Sequence, residues 1–102
     1  MASLKIRYRR AAIAELSEAI EWYAQRSESA ANELRNAVRA KLAEVARAPN
    51  HWPLEIDGTR QIFLGTFPYL LIVRELKGAA ELIAVAHTSR RPGYWRKRLR
   101  ES

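Results

Sequence analysis

His87, Arg90, Arg91 and Tyr94 lie in one short run, HTSRRPGYWRKR, from His87 to Arg98. Their side chains are of the kinds that move protons and hold phosphate. Histidine exchanges a proton near neutral pH. Arginine clamps phosphate and stabilises developing negative charge. Tyrosine donates a hydrogen bond, serves as an acid or base, or stacks on a nucleobase. Together His87, Arg90 and Tyr94 suit metal-independent cleavage of a phosphodiester by the adjacent ribose hydroxyl. The same residue types also serve structure. His87 can cap a strand end, the arginines can face solvent or pair with a partner's carboxylates, and Tyr94 and Trp95 can pack the tail onto a sheet.

Such a cluster has to be delivered by something rigid. The segment Glu81 to His87 holds the apolar run Leu82-Ile83-Ala84-Val85-Ala86, which reads as a buried strand ending at the cluster. Behind the cluster, Arg96, Lys97, Arg98 and Arg100 form a basic tail over about 96–102. Arg7, Arg9 and Arg10 supply a second basic group. If both groups share one side of the sheet they make an electrostatic footprint. A frayed, solvated tail is the alternative.

Composition narrows the classes. The chain has 102 residues, which predicts a single domain over 1–102. The net charge of +7 favours polyanionic or acidic partners without choosing among them. There is no cysteine, which excludes disulfides and thiolate metal sites. The histidines, His51 and His87, are too far apart in sequence to suggest a metal site by themselves. No cofactor is implied. No apolar run approaches the roughly 18 to 20 residues of a membrane span. Met1 to Lys5 lacks the apolar core of a signal peptide. A cytoplasmic protein with no membrane contact is the expectation.

The elements follow from hydrophobic period. Leu4, Ile6 and Tyr8 alternate with Lys5, Arg7 and Arg9, predicting a half-buried strand with a basic outer face. From about Ala11 to Arg26 the period is helical. Ile13, Leu16, Ile20 and Tyr23 form the stripe, Trp22 widens it, and Glu15, Glu18 and Glu21 lie largely off it. Ser27 and Ser29 offer N-caps for a second helix running to Ala48, with Leu34, Val38, Leu42 and Val45 inward and Pro49 as its stop. Trp52, in the following loop, reads as a packing residue. Three strands are then predicted, over Thr59–Thr66, Tyr69–Leu76 and Glu81–His87. Their short connections make them antiparallel neighbours. The fold class is α+β: an N-terminal strand, an antiparallel helical hairpin, then a three-stranded antiparallel run, with both helices on one face of a small sheet.

At this point the chain resembles toxins of the RelE/ParE superfamily from bacterial type II toxin–antitoxin systems. The resemblance runs nearly the whole length. AELSEAIEWYAQRS, Ala14 to Ser27, is similar to the family's first helix. FPYLLIVRE, Phe67 to Glu75, resembles its Pro-Tyr strand. IAVAHTSRRPGYW, Ile83 to Trp95, is the most specific piece and resembles ParE-like members. The resemblance implies a toxin held in check by a cognate antitoxin, in a hetero-oligomer with it. Two activities divide the superfamily. RelE-like members cut mRNA on the ribosome, and ParE-like members act on DNA gyrase.

For the ribonuclease alternative, Arg90 and Tyr94 match RelE's catalytic pair after the last strand, and His87 resembles a histidine that some relatives use. But RelE has an arginine directly after the strand tyrosine, where this chain has Leu70. RelE's two lysines on the preceding strand fall on Gln61 and Phe63, with Arg60 nearby but not a direct replacement. Missing cations at such a site forfeit on the order of several kcal/mol of transition-state stabilisation. The reading therefore leans to a ParE-like, non-enzymatic toxin, with Arg90, Arg91, Tyr94, Trp95, Arg96 and Arg98 as target contacts. The antitoxin is expected to be acidic against these basic groups and to place apolar side chains in a groove beside the sheet. A non-toxic basic module that binds nucleic acid is a third reading.

Overall fold

A computed structural model describes residues 3–101. Met1, Ala2 and Ser102 lie outside the described residues, so the ends of the expected N-terminal segment and basic tail are not covered. The elements are β1 (Lys5–Tyr8), α1 (Arg10–Ala24), α2 (Glu28–Arg47), β2 (Thr59–Phe63), β3 (Tyr69–Leu76) and β4 (Ala79–His87). Short 3-10 segments occupy Pro49–His51 and Arg96–Arg100. The strand order is β1-β4-β3-β2, with β1 parallel to β4 and the other pairs antiparallel. The α+β expectation holds, with one addition. The short antiparallel connections predict β2-β3-β4, but nothing local says that β1 crosses the chain to lie beside β4.

Local chemistry explains most boundaries. The Ser27 side chain accepts from the Ala30 amide and caps α2. Glu28 in the first turn and Arg47 in the last complement the helix dipole. The β3–β4 turn is tighter than expected. Gly78 takes φ +71, so only Lys77 and Gly78 turn, and Ala79 and Ala80 join β4.

The sheet is buried on both faces. On one side Leu34, Val38, Leu42 and Val45 of α2 meet Ile62, Leu71, Val73, Leu82 and Val85. On the other, Ile72, Ile83, Ala84 and Ala86 are covered by Trp95 and the C-terminal segment. A bulge makes this possible. Ile72 pairs with Ala84 and Val73 with Leu82, so Ile83 is the extra residue on β4. Ile83 and Ala84 therefore both serve the tail side, while Leu82 and Val85 serve the helix side.

Three expectations about the apolar faces change. Ile13 and Trp22 are each 49% exposed, and Tyr8 is 50% exposed. The buried positions of α1 are Ala12 and Ala19, with Leu16, Ile20 and Tyr23 packed around them. A helix pressed between a partner helix and a sheet turns its small residues to the closest contact, and successive residues turn about 100° away. Trp22 instead carries the Arg26 guanidinium 3.6 Å above its ring.

Candidate target-binding site

β4 outruns β1. β1 pairs only with Ala79 to Leu82, while β4 continues to His87. The backbone of β4 beyond Leu82 thus lacks a neighbouring strand on that side, and side chains take its place. The Val85 amide donates to Glu15 Oε1 at 3.0 Å, and Arg98 donates to the Ile83 carbonyl at 3.0 Å. Arg98 also bonds both oxygens of Glu15 at 3.0 Å, and the Tyr94 hydroxyl donates to Glu15 Oε2 at 2.6 Å. One carboxylate of α1 therefore holds the β4 edge and the C-terminal segment together. Burial alone would raise the Glu15 pKa, but hydrogen bonds from Arg98, Tyr94 and the Val85 amide outweigh it and hold it below its ordinary value. Burial first, and then the bond to Glu15, push Tyr94 up to about 12.

Glu81 makes a second anchor. It accepts from Arg9 Nε at 3.1 Å and from Arg74 at 2.9 Å. The two arginines reach on to the carbonyls of Arg98, at 2.7 Å, and Leu99, at 2.9 Å. These carbonyls lie at the end of a 3-10 segment, where the Arg98 carbonyl also accepts from the Glu101 amide at 3.3 Å. Arg9 also reaches the Glu101 carbonyl at 2.9 Å. The tail is therefore folded down rather than frayed, and Arg9 is spent holding it.

The remaining candidates gather around a cleft of about 120 Å³ on the tail side of the sheet, lined by His87, Arg90, Arg91, Tyr94, Trp95 and Arg96 together with Gln61 and Leu70. His87 faces its ring edge-on to Tyr69 at 5.1 Å. Its Nδ1 accepts from the Ser89 amide at 3.0 Å. The Arg90 guanidinium stacks 3.8 Å above the Tyr94 ring and stands 4.0 Å from Glu15. Arg96 pairs with Asp57 at 3.2 Å. Among the described residues Arg91 makes no ion pair, and no group of side chains there could hold a metal ion. No helix among them is long and apolar enough to cross a membrane.

Two expected contact residues are not presented to a partner. Trp95 is 3% exposed because it plugs the tail-side core over Ile72 and Ala86. The Arg98 side chain is 15% exposed and committed to Glu15. Both are internal because the bulged β4 leaves a second apolar face and an open edge to cover. Arg90, Arg91 and Arg96 remain exposed.

The family described as ParE toxin of type II toxin–antitoxin system, parDE, matches residues 6–92. The chain belongs to the ParE toxin family. Among solved structures, one described as "Chromosomal ParDE TA system from P. aeruginosa" is similar at 15% identity and a TM-score of 0.72, covering 85% of this chain and 98% of that one. At that identity the likeness speaks for the fold. Comparison with curated protein sequences returns no match.

In this ParE-family chain, sequence reasoning missed the two anchoring carboxylates. By sequence Glu15 falls off the apolar stripe, and position alone gives no other reading. A signal for Glu81 was present: an acid opening an otherwise apolar strand in a chain rich in arginine. Arg74 lies directly across the β3–β4 pair from it. The turn that walls the cleft also has a testable constraint. Gly93 takes φ +76, and a Cβ there would run into the Arg96 guanidinium. Gly93→Ala should cost about 1–2 kcal/mol from left-handed backbone strain, measured by urea unfolding. A loss under about 0.5 kcal/mol would show that the turn relaxes freely.

Proposed function

We propose that this ParE-family toxin arrests growth by binding a protein target, DNA gyrase, and that a cognate antitoxin neutralises it. The observation that carries the non-enzymatic reading is the Tyr94 hydroxyl. It is committed to Glu15 at 2.6 Å and its pKa is pushed up to about 12. A general acid or base works best with a pKa near the operating pH, and this group is moved the wrong way. The floor of the cleft supports the same reading, since Gln61 and Leu70 stand where a ribonuclease of the superfamily would place cations.

The antitoxin has a separate place to sit. A groove of about 540 Å³ runs between β1 and the helical hairpin, lined by Ile6, Tyr8, Ile13, Leu16, Val38 and Leu42, with Arg35 and Arg39 beside them. The half-exposed Tyr8 and Ile13 are explained if an apolar face covers them. The arginines fit acidic residues flanking that face, in a hetero-oligomer of toxin and antitoxin.

The test is induction of the toxin alone in bacteria, with plasmid supercoiling and genome-wide RNA 5′ ends read together. Growth arrest with loss of supercoiling and no new 5′ ends is the expected result. Frequent cuts inside translated codons that vanish in Tyr94→Phe would overturn it. His87, Arg90 and Tyr94 would then be a ribosome-dependent nuclease site.

A further inference from the structure

We infer that the cleft beside the Arg91–Gly93 turn is an anchor pocket that receives one apolar side chain from an acidic segment of the toxin's protein target. This rests on the proposal that the toxin acts through a protein, and it names the chemistry the target must present.

The floor is apolar. Leu70 and Ala86 face each other across the β3–β4 pair, and Trp95 closes the wall. The next position along the sheet is Phe63, paired with Leu70 and 52% exposed. Phe63 thus continues the apolar floor beyond the cleft, where an apolar occupant of the cleft would cover it as well. The cleft, at about 120 Å³, has room for one branched or aromatic side chain and no more.

The rim is cationic. The Arg90 and Arg96 side chains are 54% and 56% exposed. Arg90 is held by stacking on Tyr94, and Arg96 by its pair with Asp57. Arg91 lies on the exposed turn between them without an ion pair among the described residues. Asp57 offsets part of the charge at the Arg96 end, so the strongest demand for an anion is at Arg91. An apolar floor inside an arginine rim matches a segment with one apolar residue flanked by carboxylates, the arrangement that makes an interface anchor. It does not suit RNA. The rim arginines could meet a phosphate, but a nucleotide seated in the cleft would set its polar base edges against Leu70, Ala86 and Trp95 with Gln61 as the neutral polar side chain beside them.

The experiment compares Leu70→Arg, Arg91→Glu and the conservative Leu70→Ile with the parent toxin. Leu70 is half-buried and Arg91 exposed, so each variant should fold. The readouts are growth arrest, inhibition of purified gyrase, antitoxin affinity and ultraviolet crosslinking to RNA. Leu70→Arg and Arg91→Glu should each weaken gyrase inhibition about tenfold or more and relieve growth arrest. Leu70→Ile should retain both activities, and antitoxin affinity should hold in all three. Full potency in Leu70→Arg and Arg91→Glu would overturn the pocket. So would an RNA crosslink in the parent that is lost in Arg91→Glu. If the parent fails to inhibit gyrase while both variants still relieve growth arrest without RNA crosslinks, the pocket stands and gyrase as the target falls.

Discussion

Glu15→Ala should destabilise the fold by about 3–4 kcal/mol, the largest loss expected from a single polar substitution here. The carboxylate and its partner Arg98 have side chains only 13% and 15% exposed. Its removal strands the Val85 amide and the Tyr94 hydroxyl and leaves the Arg98 guanidinium with the Ile83 carbonyl but no carboxylate. A buried donor left unpaired costs far more than its bond contributed. For a domain of this size the change should lower the melting temperature by on the order of 12–20 °C. Glu15→Gln keeps one acceptor and should lose less. The tail should loosen in the alanine variant, exposing the segment after Trp95 to proteolysis. A loss below about 1 kcal/mol by urea unfolding would mean that Arg98 finds other partners and that Glu15 is not the anchor.

Acid should destabilise the protein through the same groups. For Glu15, Asp57 and Glu81 burial alone would raise the pKa, but hydrogen bonds from Arg98, Thr59 and Arg74, respectively the largest opposing causes, leave all three lowered. The sign follows directly. The unfolded chain binds these protons more readily than the folded one, so stability rises with pH across the window between the two values. The contribution is complete above the ordinary values of 4.5 for the glutamates and 3.8 for Asp57, and is lost as pH falls through the lowered folded values. Unfolding free energy measured from pH 7 down to pH 2 should therefore be flat at first and fall below about pH 4.5. In Glu15→Gln the slope should be shallower, because one of the coupled carboxyls no longer titrates. An equal slope in parent and variant would remove Glu15 from the account.

The local signals were reliable where one period and one cap decide an element. The α2 stripe of Leu34, Val38, Leu42 and Val45 is buried throughout, and Ser27 caps it. The antiparallel neighbours β2, β3 and β4 follow from connections too short for anything else. Local reading failed where a residue has two possible neighbours. The α1 stripe placed Ile13 and Trp22 inside and Glu15 outside, and the structure reverses all three. Period gives the width of an apolar face, but not which part of it meets the sheet.

The candidate site shows the same division. The chain order of His87, Arg90, Arg91, Tyr94 and Arg96 at the end of an apolar strand is enough to mark the cluster and to bring its members to one cleft. Sequence alone also determined the ParE-like family resemblance, the basic charge and the helix-hairpin-on-sheet architecture, because each depends on residue types and short spacings. Only the tertiary structure decided which of these side chains are free. β1 ends at Tyr8 while β4 runs on to His87, and a bulge at Ile83 turns a second apolar face toward the tail. An open strand edge and an uncovered face must be satisfied by whatever the chain brings to them. Glu15, Arg98 and Trp95 are drawn inside for that reason, and Glu15 meets Val85 and Arg98 across separations of 70 and 83 residues that no local pattern encodes.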